Sequence, residues 1–81
     1  MRFIWHRENV AHVVRHGLIP EEVEAVFDAK DLGFAASGQR GRWIGEGTVA
    51  GRVLRVAFTR SGPDEIHVIT AYPIGRRRRR A

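Results

Sequence analysis

The sequence predicts an α+β fold in which a two-helix hairpin packs on one face of a roughly four-stranded antiparallel sheet, in the order β-α-α-β-β-β. Three observations predict it. Val10, Val13 and Val14, then Val23, Val26 and Phe27, recur at helical spacing on either side of Gly17-Leu18-Ile19-Pro20. Leu54, Val56 and Phe58 alternate with Arg55, Ala57 and Thr59, the period of a strand with one covered and one open face. Finally, the β-type runs of the second half are separated only by short turn sequences, Ala50-Gly51 and Ser61-Gly62-Pro63-Asp64.

Each element has its own signal. Arg2–Trp5 is a short β-type run ending in an aromatic. The helical pattern starts at Arg7 and runs to His16, where Gly17 supplies a C′ stop. Pro20 opens a second helix over 20–30, and Glu21, Glu22 and Glu24 follow in the turn where negative charge complements the helix dipole. The link Gly17–Ile19 is short, so the two helices form an antiparallel hairpin. Gly33–Gly41 is glycine-rich and reads as an irregular loop or weak strand. Arg42–Val49, Arg52–Arg60 and Glu65–Tyr72 read as strands, the last apolar on both faces and therefore central.

At 81 residues, with 43% hydrophobic and 28% charged residues, the chain supports one core. Residues 1–74 form that domain and 75–81 an arginine-rich tail. A domain of this size folds alone only marginally, so a partner is a natural expectation. The absence of cysteine excludes a disulfide framework and a thiolate zinc site. No apolar run reaches the length of a signal core or a membrane span, and the expected location is the cytoplasm.

The net charge of +5 comes from fourteen basic against nine acidic residues. It lies entirely in the terminal run Arg76, Arg77, Arg78, Arg79 and Arg80. Within the body, residues 21–31 are acidic, whereas residues 40–60 carry Arg40, Arg42, Arg52, Arg55 and Arg60 against Glu46 alone. An acidic side and a basic side follow, the second suited to a polyanion. The tail reads as an electrostatic arm without sequence preference.

His12 and His16 stand four apart on one helical face. Such a pair could clamp a metal, but zinc needs further ligands, and no glutamate lies inside the pair. The pair therefore reads as helix trim, with His16 favourably placed at the C-terminal dipole. No metal or other cofactor is expected.

The stretch W-x-x-x-N-x-x-H-x-x-R-H-G-x-x-P-E-E-V-E-x-V-F (Trp5, Asn9, His12, Arg15 to Gly17, Pro20 to Glu24, Val26, Phe27) resembles the BrnT family of type II toxins, small ribonucleases that block translation. The likeness continues in Gly51-Arg52-x-Leu54-x-Val56-x-Phe58-Thr59 and Ile66-x-Val68-Ile69-Thr70-Ala71. It is densest over 3–28 and 51–72. The resemblance implies a RelE-like fold and a metal-independent endoribonuclease acting on RNA, free or on the ribosome. It also implies neutralisation by a BrnA-like antitoxin, through which alone the chain would meet DNA. The sequence departs from the family at His6, where an Asp is usual, and at Tyr72, where an arginine ends the last strand. It departs again at Gly45-Glu46-Gly47-Thr48, which lacks an arginine, and in the tail.

Metal-free RNA cleavage needs a base for the 2′-hydroxyl, cations for the phosphate and an acid for the leaving oxygen. By alternation His67 lies opposite Ile66 and Val68 and shares the open face with Arg55. With Arg60 on the adjacent strand and Tyr72 at the end of its own, His67 and Arg55 make the candidate catalytic set. Arg42, Arg52 and Arg76–Arg80 make the candidate RNA-binding set. Exposed sheets also carry Arg and His for solubility alone. A non-catalytic binding module of the same fold, for RNA or an antitoxin-like partner, is the competing reading.

Overall fold

The computed structural model describes residues 1–76. Arg77, Arg78, Arg79, Arg80 and Ala81 lie outside the described residues, as does the side chain of Arg76. The elements are β1 (Arg2–Ile4), α1 (Arg7–Arg15), α2 (Pro20–Val26), β2 (Gly33–Ala36), β3 (Trp43–Val49), β4 (Arg52–Ser61) and β5 (Glu65–Arg76). The sheet has five strands in the order β1-β5-β4-β3-β2. It is mixed rather than antiparallel throughout, because β1 runs parallel to β5, with Arg2, Phe3 and Ile4 opposite Glu65, Ile66 and His67. The fifth strand comes from the glycine-rich stretch: Gly33–Ala36 pairs antiparallel with Trp43–Glu46 as an edge strand.

The helical hairpin forms where its punctuation predicts. Gly17 takes a positive φ of 80°, and the N–H groups of Leu18 and Gly17 donate to the carbonyls of Val13 and Val14. These bonds satisfy the last carbonyls of α1 and turn the chain into α2. The second helix is shorter than expected, ending at Val26 rather than at residue 30. Beyond it Asp28 and Ala29 donate to carbonyls three residues back, the tighter winding that closes a helix.

Val13, Leu18, Val23 and Val26 pack on Leu54, Val56, Phe58, Ile66, Val68 and Ala71 to form the core. Burying each large aliphatic side chain is worth about 1.5–3 kcal/mol, so this layer between hairpin and sheet holds the fold. A Cβ on Gly47 would meet Ala29 Cβ at 2.7 Å and the Val26 carbonyl oxygen at 3.0 Å. Glycine there lets the end of α2 lie directly on β3. Among the described residues no helix is long and apolar enough to cross a membrane.

The last strand runs to Arg76, four residues past the expected end at Tyr72. It carries two irregularities against β4. Phe58 pairs with Val68 while Ala57 pairs with Thr70, so Ile69 is an extra residue; Val53 pairs with Gly75 and Leu54 with Pro73, so Ile74 is another. Pro73 is tolerated because β1 covers only the start of β5, leaving this end without a second ladder to feed.

Two substitutions test this packing. Gly47→Ala is expected to destabilise the protein by about 1–3 kcal/mol in urea unfolding, since the clash is with backbone and a methyl group rather than a flexible tip. At the β3–β4 turn Ala50 adopts φ of 52° beside Gly51 at 83°. Ala50→Asn suits that two-residue turn and is expected to raise stability by up to about 1 kcal/mol. An unchanged unfolding midpoint for both would refute the packing and turn geometry described.

Candidate active site

The extra residue in β5 decides which side chains meet. Ile66 and Val68 point into the core, so uninterrupted alternation would send Tyr72 the same way. The bulge at Ile69 reverses the parity: Ala71 is buried with the core, while Thr70 and Tyr72 stand opposite Ala57 and Arg55 on the open face. Arg55 in turn stands opposite Glu46 of β3, and its Nε donates to Glu46 Oε2 at 2.5 Å. The Glu46 carboxylate, and after it the Tyr72 hydroxyl, hold the Arg55 guanidinium above its ordinary value.

The row continues onto the helix. The His16 ring, at the C-cap of α1, lies 5.7 Å from that of Tyr72, tilted at 51°. His12, one turn earlier, places Nδ1 3.0 Å from the carbonyl oxygen of Ile69. A carbonyl can only accept, so that nitrogen carries the proton and α1 is pinned to the bulge. A shallow cleft of about 270 Å³ opens here, lined by His12, Arg15, His16, Ile69 and Thr70. Arg15 has no ion pair among the described residues and stands at its rim. Glu46, Arg55, Tyr72 and His16 thus form one line across three strands and a helix end, with an exposed cation beside it. Among the described residues no three His, Cys, Asp or Glu side chains are grouped so as to hold a metal ion.

The sequence-derived set divides. Arg55 and Tyr72 come together. His67 shares their face but stands opposite Thr59, four positions along β4 from Arg55, a span of roughly 13 Å at strand rise. Its Nε2 lies 3.1 Å from Glu65 Oε1, and Glu65 also binds Arg2. That places His67 in the clasp between β1 and β5, not in the row.

Arg60 is on the other face altogether, in phase with Leu54, Val56 and Phe58, and donates to the Pro63 carbonyl at 3.1 Å. Arg52 is also turned toward the hairpin, where its Nη2 bonds Glu22 Oε2 at 3.0 Å. Arg52 therefore offers less to a phosphate than its position in sequence suggested. Arg42 is exposed in the β2–β3 loop, away from the row. Arg77–Arg80, with the side chain of Arg76, lie outside the described residues.

Neither protein-family models, nor curated proteins, nor solved structures gave a match to this chain. Its chemistry is read from its own geometry. Glu46, His16 and Arg15 are the members of the site that sequence reasoning left out. His16 carried a signal, a histidine at a helix end, but nothing in the sequence shows that this end abuts the open face. Glu46 stood out only as the single acid in a basic stretch.

The clasp has a pH signature. Arg2 first, and His67 after it, hold the Glu65 carboxyl below its ordinary value of 4.5. A depressed carboxyl stabilises the fold fully above its unfolded value and loses that contribution as pH falls through the folded one. The thermal midpoint of the parent is therefore expected to exceed that of Glu65→Gln at neutral pH, with the gap closing below about pH 4.5. A gap independent of pH would show that the clasp is not ionic.

Proposed function

We propose that this chain is a BrnT-like, metal-independent endoribonuclease of RelE-like architecture. In this reading it acts on RNA in the cytoplasm as the toxin of a type II pair and is neutralised by a BrnA-like antitoxin. The observation that carries the catalytic part is the row Glu46–Arg55–Tyr72–His16. In-line cleavage of RNA requires a base and an acid on opposite sides of the phosphorus, with positive charge and a hydrogen-bond donor between them. The row has that order, with Glu46 at one end, His16 at the other, and Arg55 and Tyr72 in the middle.

The reaction balances without a co-reactant. Glu46 takes the proton of the 2′-hydroxyl as that oxygen attacks the neighbouring phosphorus. Arg55, aided by Arg15, offsets the charge gathering on the phosphoryl oxygens, and Tyr72 donates a hydrogen bond. The P–O5′ bond breaks, and His16 in its protonated form delivers a proton to the leaving 5′-oxygen. The products are a 2′,3′-cyclic phosphate and a 5′-hydroxyl. In the free protein Arg55 is occupied by Glu46, so substrate must draw the guanidinium partly from the carboxylate, which also frees the base.

That same ion pair favours the competing reading, a non-catalytic module that binds RNA or an antitoxin-like partner. An arginine held at 2.5 Å by a carboxylate is a structural cross-strand link as well as a catalytic one. Cleavage assays separate the two. His16→Ala and Glu46→Gln, each shown to keep its thermal midpoint, are expected to slow RNA cleavage by roughly 10²–10⁴-fold, whereas His67→Ala stays near the parent. Comparable loss in His67→Ala would return the chemistry to the β1–β5 end. A parent that cuts no RNA, with or without ribosomes, establishes the binding module instead.

A further inference from the structure

The face that carries the helices is not fully covered by them. Past the end of α2, an apolar groove of about 230 Å³ opens between Phe27, Phe34, Trp43, Phe58, Met1 and Arg60. Phe34 and Trp43 are 55% and 42% exposed, although both are large aromatics on a sheet. Gly45 makes room for Phe34 against Phe58: a Cβ there would meet the rings of Phe34 and Phe58 at 3.2 and 3.4 Å. Phe34 packs edge-on against Phe58 at 5.9 Å, and Phe58 against Phe27 at 5.2 Å, so the aromatic wall is braced from behind.

The surroundings of this groove are cationic. Arg60 lines it, and Trp43 also borders a second cleft lined by Arg40 and Arg42. None of these three arginines has an ion pair among the described residues, in contrast to Arg2, Arg52 and Arg55. No carboxylate lines either cleft; Asp64 and Glu65 line a neighbouring one that shares Met1 and Pro63. The groove is smaller than the ~300–1,000 Å³ of sites that enclose a drug-sized ligand, and fits one planar ring.

Exposed aromatic faces set among unpaired arginines are the chemistry that holds single-stranded nucleic acid, the base stacking while its phosphates meet the cations. We infer that the Phe34–Trp43 groove binds one unpaired nucleobase of a single-stranded RNA, with Arg60 and Arg42 on the adjoining phosphates. This deepens the RNA-directed reading above and rests on it for the choice of RNA. The groove lies on the sheet face opposite the Glu46–His16 row, so it anchors the strand away from the scissile bond and sets affinity rather than turnover.

The test uses the intact protein and a ten-nucleotide, fully 2′-O-methylated RNA, which cannot be cleaved, offered single-stranded and as a duplex. Trp43→Leu and Phe34→Leu are each expected to weaken single-strand binding roughly 5- to 150-fold, leaving duplex binding within about twofold. Trp43→Tyr, which keeps an aromatic face, is expected to retain most of the affinity. This guards against mistaking a folding defect for lost stacking. Unchanged single-strand affinity in folded Trp43→Leu, or equal loss on the duplex, overturns the inference. So does a concentration-dependent dimer that Trp43→Leu abolishes without altering RNA affinity, since the groove would then be a contact between copies. Cleavage of unmodified RNA is scored separately. Stacking without cleavage refutes the ribonuclease, and cleavage without stacking refutes the groove.

Discussion

Asn9 is the polar interaction on which the arrangement of elements depends. It is the one buried polar side chain among the described residues, 3% exposed, and it uses both amide hydrogens and its oxygen. Its Nδ2 donates to the carbonyls of Ile4 at 2.8 Å and Val68 at 3.1 Å, while its Oδ1 accepts from the His6 N–H at 2.7 Å. One side chain thereby ties the end of β1, the start of α1 and the middle of β5. A buried amide left half-satisfied costs about 1–3 kcal/mol, so the three elements are held to one relative geometry rather than merely attracted. Where β1 stops, Asn9 and then His12 take over the bonding of the β5 edge, at Val68 and Ile69 in turn. A helix has replaced a strand along that edge, which also shields it from pairing with another chain.

This substitution is what brings a helix end to the open face of the sheet. Because α1 follows the β5 edge, its C-terminus arrives beside Tyr72, and because β5 is bulged at Ile69, Tyr72 faces Arg55 instead of the core. His12 binds the carbonyl at the bulge itself. The local defect in the ladder, the helix that satisfies it and the side chains it redirects are one device. Bulges commonly re-aim side chains in this way.

The helical hairpin was legible because Gly17 and Pro20 act locally, through backbone conformations that their neighbours barely alter. The covered face of β4 was legible too, and the same alternation already placed Arg60 with Leu54, Val56 and Phe58; reading it as a companion of Arg55 ignored its own parity. The parallel pairing of β1 was not legible, since a three-residue strand carries no trace of its partner's direction. Nor was the bulge: Ile66, Val68, Ile69 and Ala71 form an apolar run whose faces depend on which residue is left unpaired. The strand at Gly33–Ala36 was obscured by the glycines around it, of which Gly38 and Gly41 take positive φ in the loop that follows, and Phe34 was its only strong signal. Of the members of the site that sequence reasoning missed, His16 and Arg15 depend on the helix-edge contact, a tertiary fact. Glu46, by contrast, faces Arg55 through the regular ladder on either side of the Ala50-Gly51 turn and was within reach of strand parity.

The arginines of the described residues divide by partner, and the division follows the strands. Arg2, Arg52 and Arg55 each meet a carboxylate from a neighbouring element, Glu65, Glu22 and Glu46 respectively. Exposed pairs of this kind add little to stability, but they fix side-chain direction and cancel charge where the sheet is built. Arg7, Arg15, Arg40, Arg42 and Arg60 have no such pair among the described residues, and all of these but Arg7 lie beside the His16 cleft or the aromatic groove. A chain whose body is neutral in total can therefore still attract a polyanion. Its negative charge is partly consumed in internal pairs, while four of its arginines without an ion pair among the described residues collect at clefts on opposite sides of one sheet. A single strand held at both would have to pass around the sheet, which an unpaired, flexible RNA can do and a stiff duplex cannot.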